Sequence, residues 1–467
     1  MTHQLPPNVP QFLFDDALIA DHRRLTRRWL PATIYPKPIL EPTPPHERCL
    51  CYLSVLPDPE GGYRMYYWKF DPPAPRRPSR STISLATSRD GFHWVKPNLG
   101  IVEWEGSRDN NIVIASDWHM DGPIAVYDPG SVEPYKMLLF HIDLKDRDAS
   151  LGIYSYTSVD GLRWKQYPGV RQRAFDRNNV MPQRVNGKWV NFTRPPPEQF
   201  PGRRVIHRSE SEDFINWSEQ ELVLAPDLTD EPDVEFYGLS AFERHGWYIG
   251  TLEYWNSLDD AVETHLVVSR DTKHWLRTPP RPFIAGTYPW NRRWSICANT
   301  GPIIHEEQMV FYFTGRSNGH RWNTAQQDGV IGFASLELDR FCALEGTSGG
   351  VLETVPLAWP GGELLLNADS RGNYDRLPMP HQYSGQIEIE VLDAEGKPLP
   401  DWSGDNRAIW RGNTHGRMLA NHEAIVTWPR DRKLDGLRAQ TIRLRFFIKH
   451  ARLFTFAAQT QKGTFNS

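Results

Sequence analysis

The chain has 467 residues, more than one ordinary core accommodates, so two domains are expected. Its formal net charge of −4 offers no basic field for nucleic acid, and no apolar run reaches the length of a membrane span. Aromatic residues make up 12% of the chain, with 18 Trp, and Pro occurs 39 times, a composition suited to short strands, tight turns and sugar-stacking surfaces.

The opening Met1-Thr2-His3-Gln4-Leu5-Pro6-Pro7 lacks a basic start and an apolar core, so no secretion signal is read there. The four cysteines make no disulfide framework. Cys49 and Cys51 lie two apart on one predicted strand and are expected to face the same way without pairing geometry, so the compartment is read as reducing and cytoplasmic. The run Phe12-Leu13-Phe14-Asp15-Asp16-Ala17-Leu18-Ile19 reads as a strand that pairs with the last of a ring of sheets and removes its open edge.

From Cys49 onward a unit repeats. Each copy begins with a strand, a tight turn and an aromatic-rich strand: Asp58-Pro59-Glu60-Gly61-Gly62 precedes Tyr63 to Trp68, and Asp128-Pro129-Gly130 precedes Tyr135 to Phe140. Asn186-Gly187, His245-Gly246 and Glu306-Glu307 mark the later turns, which Gly and Asn serve by supplying positive φ. A third strand then runs into a short phrase, Ser-x-Asp-x-x-x-aromatic. Its copies are Ser88 to Trp94, Ser158 to Trp164, Ser211 to Trp217, Ser269 to Trp275 and a decayed Ser335 to Phe341. The closing aromatics are 70, 53, 58 and 66 residues apart, the size of a four-stranded sheet with its loops. The Asp residues of the phrase are read as turn-makers. After Phe341 a Gly-rich joint leads to alternating strands at 362–367, 385–392, 424–428, 441–448 and 453–457. The fold class expected is all-β, a five-bladed β-propeller over 1–345 followed by a β-sandwich over 346–467.

This layout resembles the superfamily of five-bladed glycoside hydrolases that includes invertase, arabinanase and levansucrase. The stretch Ala86 to Trp104 with Asp109-Asn110-Asn111-Ile112-Val113, together with Arg208 to Phe214, Glu235-Phe236-Tyr237-Gly238 and Gly361 to Asp369, is similar to bacterial proteins labelled glycosyl hydrolase family 32 N-terminal-like. The invertase motifs Trp-x-Asn-Asp-Pro, Arg-Asp-Pro and Glu-Cys are missing from the corresponding blades, which speaks against fructan hydrolysis. The resemblance implies acidic residues on innermost strands that converge on the axis and act as acid and base across an oxocarbenium-like transition state.

The hairpin turns supply a ruler for finding those acids. Seven residues before Asp58, Asp128, Asn186, Arg244 and Glu306 stand Cys51, Asp121, Asn179, Tyr237 and Asn299. Residues two or four upstream share their face and add Glu47, Cys49, Arg177, Glu235 and Cys297. Glu235, flanked by Phe236 and Tyr237, is expected as general acid, because an apolar setting raises a carboxyl pKa. Asp121 is its partner or base, Glu47 the remaining carboxylate and Asp176 a reserve base. Asn179, Tyr237 and Asn299 line the pocket; Arg64, Arg194, His207 and Arg208 are candidates for hydroxyl or carboxylate binding, and Trp290, Trp294 and Trp322 for stacking on a sugar.

No zinc spacing joins His141, His207 and His320, and no cofactor is expected, with a structural calcium on the axis left open. The function expected is a glycoside hydrolase, exo-acting on a short oligosaccharide. A non-catalytic carbohydrate-binding propeller and a glycoside phosphorylase are the alternatives, the last requiring a basic cluster beside the acid. The partner is a carbohydrate, neither nucleic acid nor membrane, and homo-oligomerisation is left open.

Overall fold

A computed structural model describes residues 2–43, 47–71, 80–116, 119–143, 145–321, 328–371, 385–414, 418 and 421–460. They are nearly all strand, turn and loop. No described helix is long and apolar enough to cross a membrane. The chain divides into two compact units: Met1–Pro31, Ile304–Met309 and Leu336–Ser467 form one, and Ala32–Ile303 with Val310–Ser335 form the other. The first 31 residues therefore go with the C-terminal part, whereas the sequence alone suggested a first domain of 1–345.

The larger unit is a succession of antiparallel meanders. The first sheet runs Cys49–Pro57, Tyr63–Asp71, Arg80–Ser88, Ile112–Ser116, and the second His119–Tyr127, Tyr135–Ile142, Gly152–Ser158, Lys165–Gln166. The third runs Asn178–Val180, Trp189–Thr193, Ile206–Ser211, Glu221–Leu224. A fourth group, Val234–Arg244, Trp247–Asn256, Ala261–Ser269, Trp275–Arg277, continues through the pair Val262↔Trp294 into a fifth that contains Trp294–Cys297, Gln308–Arg316 and Val330–Glu337. Each hairpin forms at a turn the sequence marks, with Asn186, His245 and Glu306 all at positive φ.

The repeated phrase is a turn built from side-chain acceptors. Ser88 Oγ accepts from Gly91 N at 2.9 Å, and Asp90 Oδ1 accepts from Phe92 N and His93 N at 2.8 Å. Asp160, Asp213 and Asp271 repeat that pattern on the next three sheets. Four backbone N–H groups per pair of turns thus find carboxylate acceptors where no strand partner exists.

The edge-closing strand is not the one expected. Gln11–Phe12 pairs with Ala451–Gln459 in the smaller unit, while Thr33–Ile34 pairs with Val330–Glu337 in the larger. The reason is burial: Leu13 and Leu18 join a core with Leu344, Leu352 and Trp359, and Phe14 stacks on Phe12 and Trp29. An apolar run that dense is held by a core, and the edge is covered by the sparser Thr33–Ile34.

In the smaller unit, a sheet of Ala451–Gln459, Glu363–Asp369, Cys342–Gly346, Thr26–Trp29 and Gln11–Phe12 shares one core with a sheet that contains Thr441–Lys449, Gln386–Asp393 and Gly350–Thr354. Leu366, Leu453 and Phe456 of the first meet Ile387, Leu444 and Phe446 of the second. The strand expected at 424–428 is absent: His422–Ala424 is a 3-10 turn and only Ile425 bridges Leu365.

Candidate active site

Three of the first strands break register at the same level. Bulges fall between Cys51 and Leu53, between Asp121 and Ile124, and between Phe236 and Gly238. Tyr52 takes φ 41° and Gly122 φ 59° to make the first two. A bulge turns an extra residue out of the pleat. Here it brings Tyr52 and Tyr237, from different sheets, to a hydroxyl separation of 3.2 Å.

Around these tyrosines lies a ring of charge. Arg177, just ahead of the third sheet, stands 4.6 Å from the centre of the Tyr52 ring. Its Nε donates to Glu253 at 2.8 Å, and a second guanidinium nitrogen bonds the other Glu253 oxygen. Burial alone would lower the Arg177 guanidinium, and the adjacent Glu253 carboxylate raises it above its ordinary value. Gly238 is required there. A Cβ on it would lie 2.5 Å from Glu253 Oε2 and 2.9 Å from Arg177 Cγ. Arg194 lies over the Tyr237 ring at 4.9 Å and is bonded to Asp176. Arg204 lies 5.4 Å from the same ring and 4.4 Å from that of Trp255, and donates to Glu235 Oε2 from both its backbone N (2.9 Å) and its guanidinium (2.8 Å). Arg316 covers Trp294 at 4.0 Å and donates to Gly319 O. His320 contacts Tyr237, Trp255 and Trp294, and burial followed by the charges of Arg204, Arg316 and Arg194 pushes it down to about 4. Asp260 fixes that loop by accepting from His320 N (3.0 Å) and Arg321 N (2.9 Å).

Unlike Glu253, Asp176 and Glu235, Asp121 has no ion pair among the described residues. It is 8% exposed and its Oδ1 has no hydrogen-bond partner. Burial pushes it up to about 7, against the pull of Arg177, the Gly122 N–H and Arg194. Buried polar atoms without partners are rare in folded proteins, yet here they gather: Asn178 and Asn179 (both side-chain heteroatoms), Asn299 Nδ2, and the Nε atoms of Arg194, Arg204 and Arg316. Cys49 and Cys51, both free, have sulfurs 3.3 Å apart on the same strand as Tyr52; their mutual hydrogen bond draws the Cys49 thiol down and burial pushes Cys51 up.

The structure thus brings together Asp121, Glu235, Asp176, Tyr237 and Arg194, while Asn179 N donates to Asn191 Oδ1 (3.0 Å) and Asn299 Oδ1 accepts from Ser54 Oγ (2.5 Å). It does not bring Glu47 to them. Glu47 accepts from Tyr67 Oη (3.1 Å), Thr43 N (3.0 Å) and Lys96, in a cavity also lined by Lys69, Trp104 and Asn111. Both its oxygens are spent on holding the entry to the first sheet. Arg64 is a wedge at the opposite end of its strand, bonded to Asp58 (2.8 Å) and Asp160 O (2.6 Å). Arg208 ties Glu210, Glu221 and Thr272 together, and its neighbour His207 pairs with Thr193 within the third sheet. Trp290 stacks on Phe313 and fills the space that Cβ atoms at Gly315 and Gly332 would occupy. Trp322 lies outside the described residues. Among those residues no group of three His, Cys, Asp or Glu could hold a metal ion.

The ruler missed Tyr52, Glu253, Arg204, Arg316 and His320. Glu253 and Arg316 stand on second strands, and Arg204 and His320 on loops, where a count back from hairpin turns does not reach.

No family model matches the chain, and no curated protein matches it. Among solved structures it is similar to a glycosyl hydrolase from Bacteroides ovatus, at 12% identity over 66% of this chain and 94% of that one, with a TM-score of 0.48. A β-1,2-mannobiose phosphorylase from Listeria innocua aligns at 11% identity over 66% of this chain and 96% of that one, with a TM-score of 0.47. An N-acetylgalactosamine deacetylase from F. plautii aligns at 13% identity over 68% and 96%, with a TM-score of 0.46.

Proposed function

We propose that the chain cleaves glycosidic bonds, with Asp121 as general acid in the axial pocket of a five-bladed propeller made by the five successive strand groups of the larger unit. The observation that carries this reading is Asp121 itself. A buried carboxyl raised to about 7, with an unpartnered oxygen, keeps its proton near neutral pH and can deliver it to a leaving oxygen. Glu235 is the second carboxylate. Arg204 occupies its Oε2 twice, which leaves Oε1 to orient a water toward the anomeric carbon. The reaction is then hydrolysis of a terminal sugar from a short oligosaccharide, with the roles of acid and base exchanged relative to the expectation from sequence.

Phosphorolysis is the second reading, favoured by the guanidinium groups that crowd a single unpaired acid. The test is Asp121→Asn on a panel of oligosaccharides and aryl glycosides, each with and without inorganic phosphate. Loss of roughly 10²–10⁴ in kcat/KM is expected for poor leaving groups, and a smaller loss for nitrophenyl glycosides, which need no acid. Equal activity of the variant and the parent on every substrate would overturn the assignment; a parent chain that binds sugars and turns none over would replace it with the non-catalytic reading.

A further inference from the structure

Four guanidinium groups meet near Tyr237, and only three carboxylates are spent on them. Glu253 pairs with Arg177, Asp176 with Arg194 and Glu235 with Arg204. Arg316, 3% exposed, has no carboxylate partner among the described residues; its one side-chain bond is to Gly319 O. Arg316 is thus a buried guanidinium without an ion pair of its own among the described residues, a setting that is costly unless something answers it.

The unpartnered donors say where the answer comes from. The Nε atoms of Arg194, Arg204 and Arg316 are all buried and make no hydrogen bond, although each guanidinium is otherwise anchored. The three surround one histidine: His320 touches Trp294 beneath Arg316, Trp255 beneath Arg204, and Tyr237 beneath both Arg194 and Arg204. Aromatic faces hold each fork in place, so little freedom is lost when the forks close on a ligand. Arginine forks with a free edge match planar or tetrahedral oxyanions.

We infer that Arg194, Arg204 and Arg316 form a seat for a single oxyanion beside Asp121, filled either by inorganic phosphate or by the carboxylate of an acidic sugar. This rests on the glycosidase reading for its role in catalysis but not for the binding itself. With phosphate, a phosphate oxygen forms the new bond to the anomeric carbon as the glycosidic C–O bond breaks. Asp121 protonates the departing oxygen and recovers a proton from the hydrogen phosphate, so the products are a sugar 1-phosphate and a free alcohol. With a uronic acid, the seat fixes the substrate's carboxylate and water remains the nucleophile.

Calorimetric titration of the full chain with inorganic phosphate, D-glucuronate and D-galacturonate tests the seat directly. One of these is expected to bind at a single site with Kd at or below about 1 mM. Arg316→Gln should weaken it at least about tenfold, Arg316→Lys less, and Asp121→Asn should leave it within about threefold. Thermal melts of each variant show whether the fold is kept, and Arg194→Lys replaces Arg316→Gln should the latter not fold. Saturation by phosphate with phosphate-dependent release of a sugar 1-phosphate identifies the nucleophile; saturation by a uronate with phosphate-independent cleavage identifies an acidic substrate. No saturable binding of any of the three, or equal binding by the Arg316 variants, overturns the seat. Binding without any glycoside cleavage would sink the glycosidase reading and leave the seat standing.

Discussion

Asp121 shows how much a single residue owes to its surroundings. Its carboxyl is raised because burial outweighs two nearby guanidinium groups, one of which, Arg177, is already neutralised by Glu253. The folded protein therefore holds a proton that the unfolded chain has released at any pH between its unfolded value of 3.8 and about 7. Stability falls as pH rises through that window. Asp121→Asn is accordingly expected to raise the melting temperature at pH 8 and to change it little below pH 4; a shift that is the same at both pH values would mean the carboxyl is not raised. With Asp121 as the proposed general acid, the same proton sets the basic limb, and kcat/KM should drop about tenfold per unit above pH 7. Counting from turns singled out Asp121 and Tyr237, because the bulge lies at about the same distance from the hairpin in both strands. It put Glu47 with them too, and that failed because residues ahead of a strand obey no parity and this one is captured by Tyr67 and Lys96.

At the scale of elements, the bulges and the Asp turns occupy opposite ends of the first, second and fourth meanders. Gly238 sits in the bulge against the Arg177–Glu253 pair, and Gly238→Ala should destabilise the chain by about 1–3 kcal/mol through overpacking and lower activity with it. Glu253→Gln leaves Arg177 buried without its counter-charge and is expected to cost about 3–5 kcal/mol in denaturant titration. The turns behave otherwise. Hydrogen bonds from Ile215 and Asn216 hold Asp213 low, at about 2, although its partial burial opposes them. Its contribution is present above its unfolded value of 3.8 and fades as pH falls toward 2. Asp213→Ala should lower stability at neutral pH by about 1 kcal/mol, the scale of a lost capping side chain, and leave kcat unchanged; a catalytic defect would contradict the scaffold role. These turns were legible in the sequence because an Asx turn is local. The bulges were not, since nothing in Cys51-Tyr52-Leu53 announces a positive φ at a tyrosine.

For the whole molecule, the instructive case is the N-terminal run Phe12 to Ile19, which reads as one strand in the sequence but is strand only at its ends, Gln11–Phe12 and Ile19–Arg23, with Leu13, Phe14 and Leu18 buried between them. The sequence pattern identified it as apolar and extended but could not say which sheet needed it, because partner choice depends on contacts more than 300 residues away, such as Gln11↔Phe456. A chain begun at Ala32 would lose Leu5, Leu13 and Leu18 from the core they share with Leu344 and Trp359. Each buried leucine is worth roughly 1.5–3 kcal/mol, so hydrophobic dye binding should rise and the melting transition of the smaller unit should move down. An unchanged melt would show that these residues contribute nothing to that core.

The shared level of the bulges has a further consequence. Each absorbs its extra residue between the start of its strand and the hairpin, so the alternation beyond the bulge is independent of the alternation before it. Lengthening or recoding a hairpin leaves Tyr52, Asp121 and Tyr237 facing where they do. A graft of new loops onto this scaffold should therefore begin at the turns and stop at the bulge.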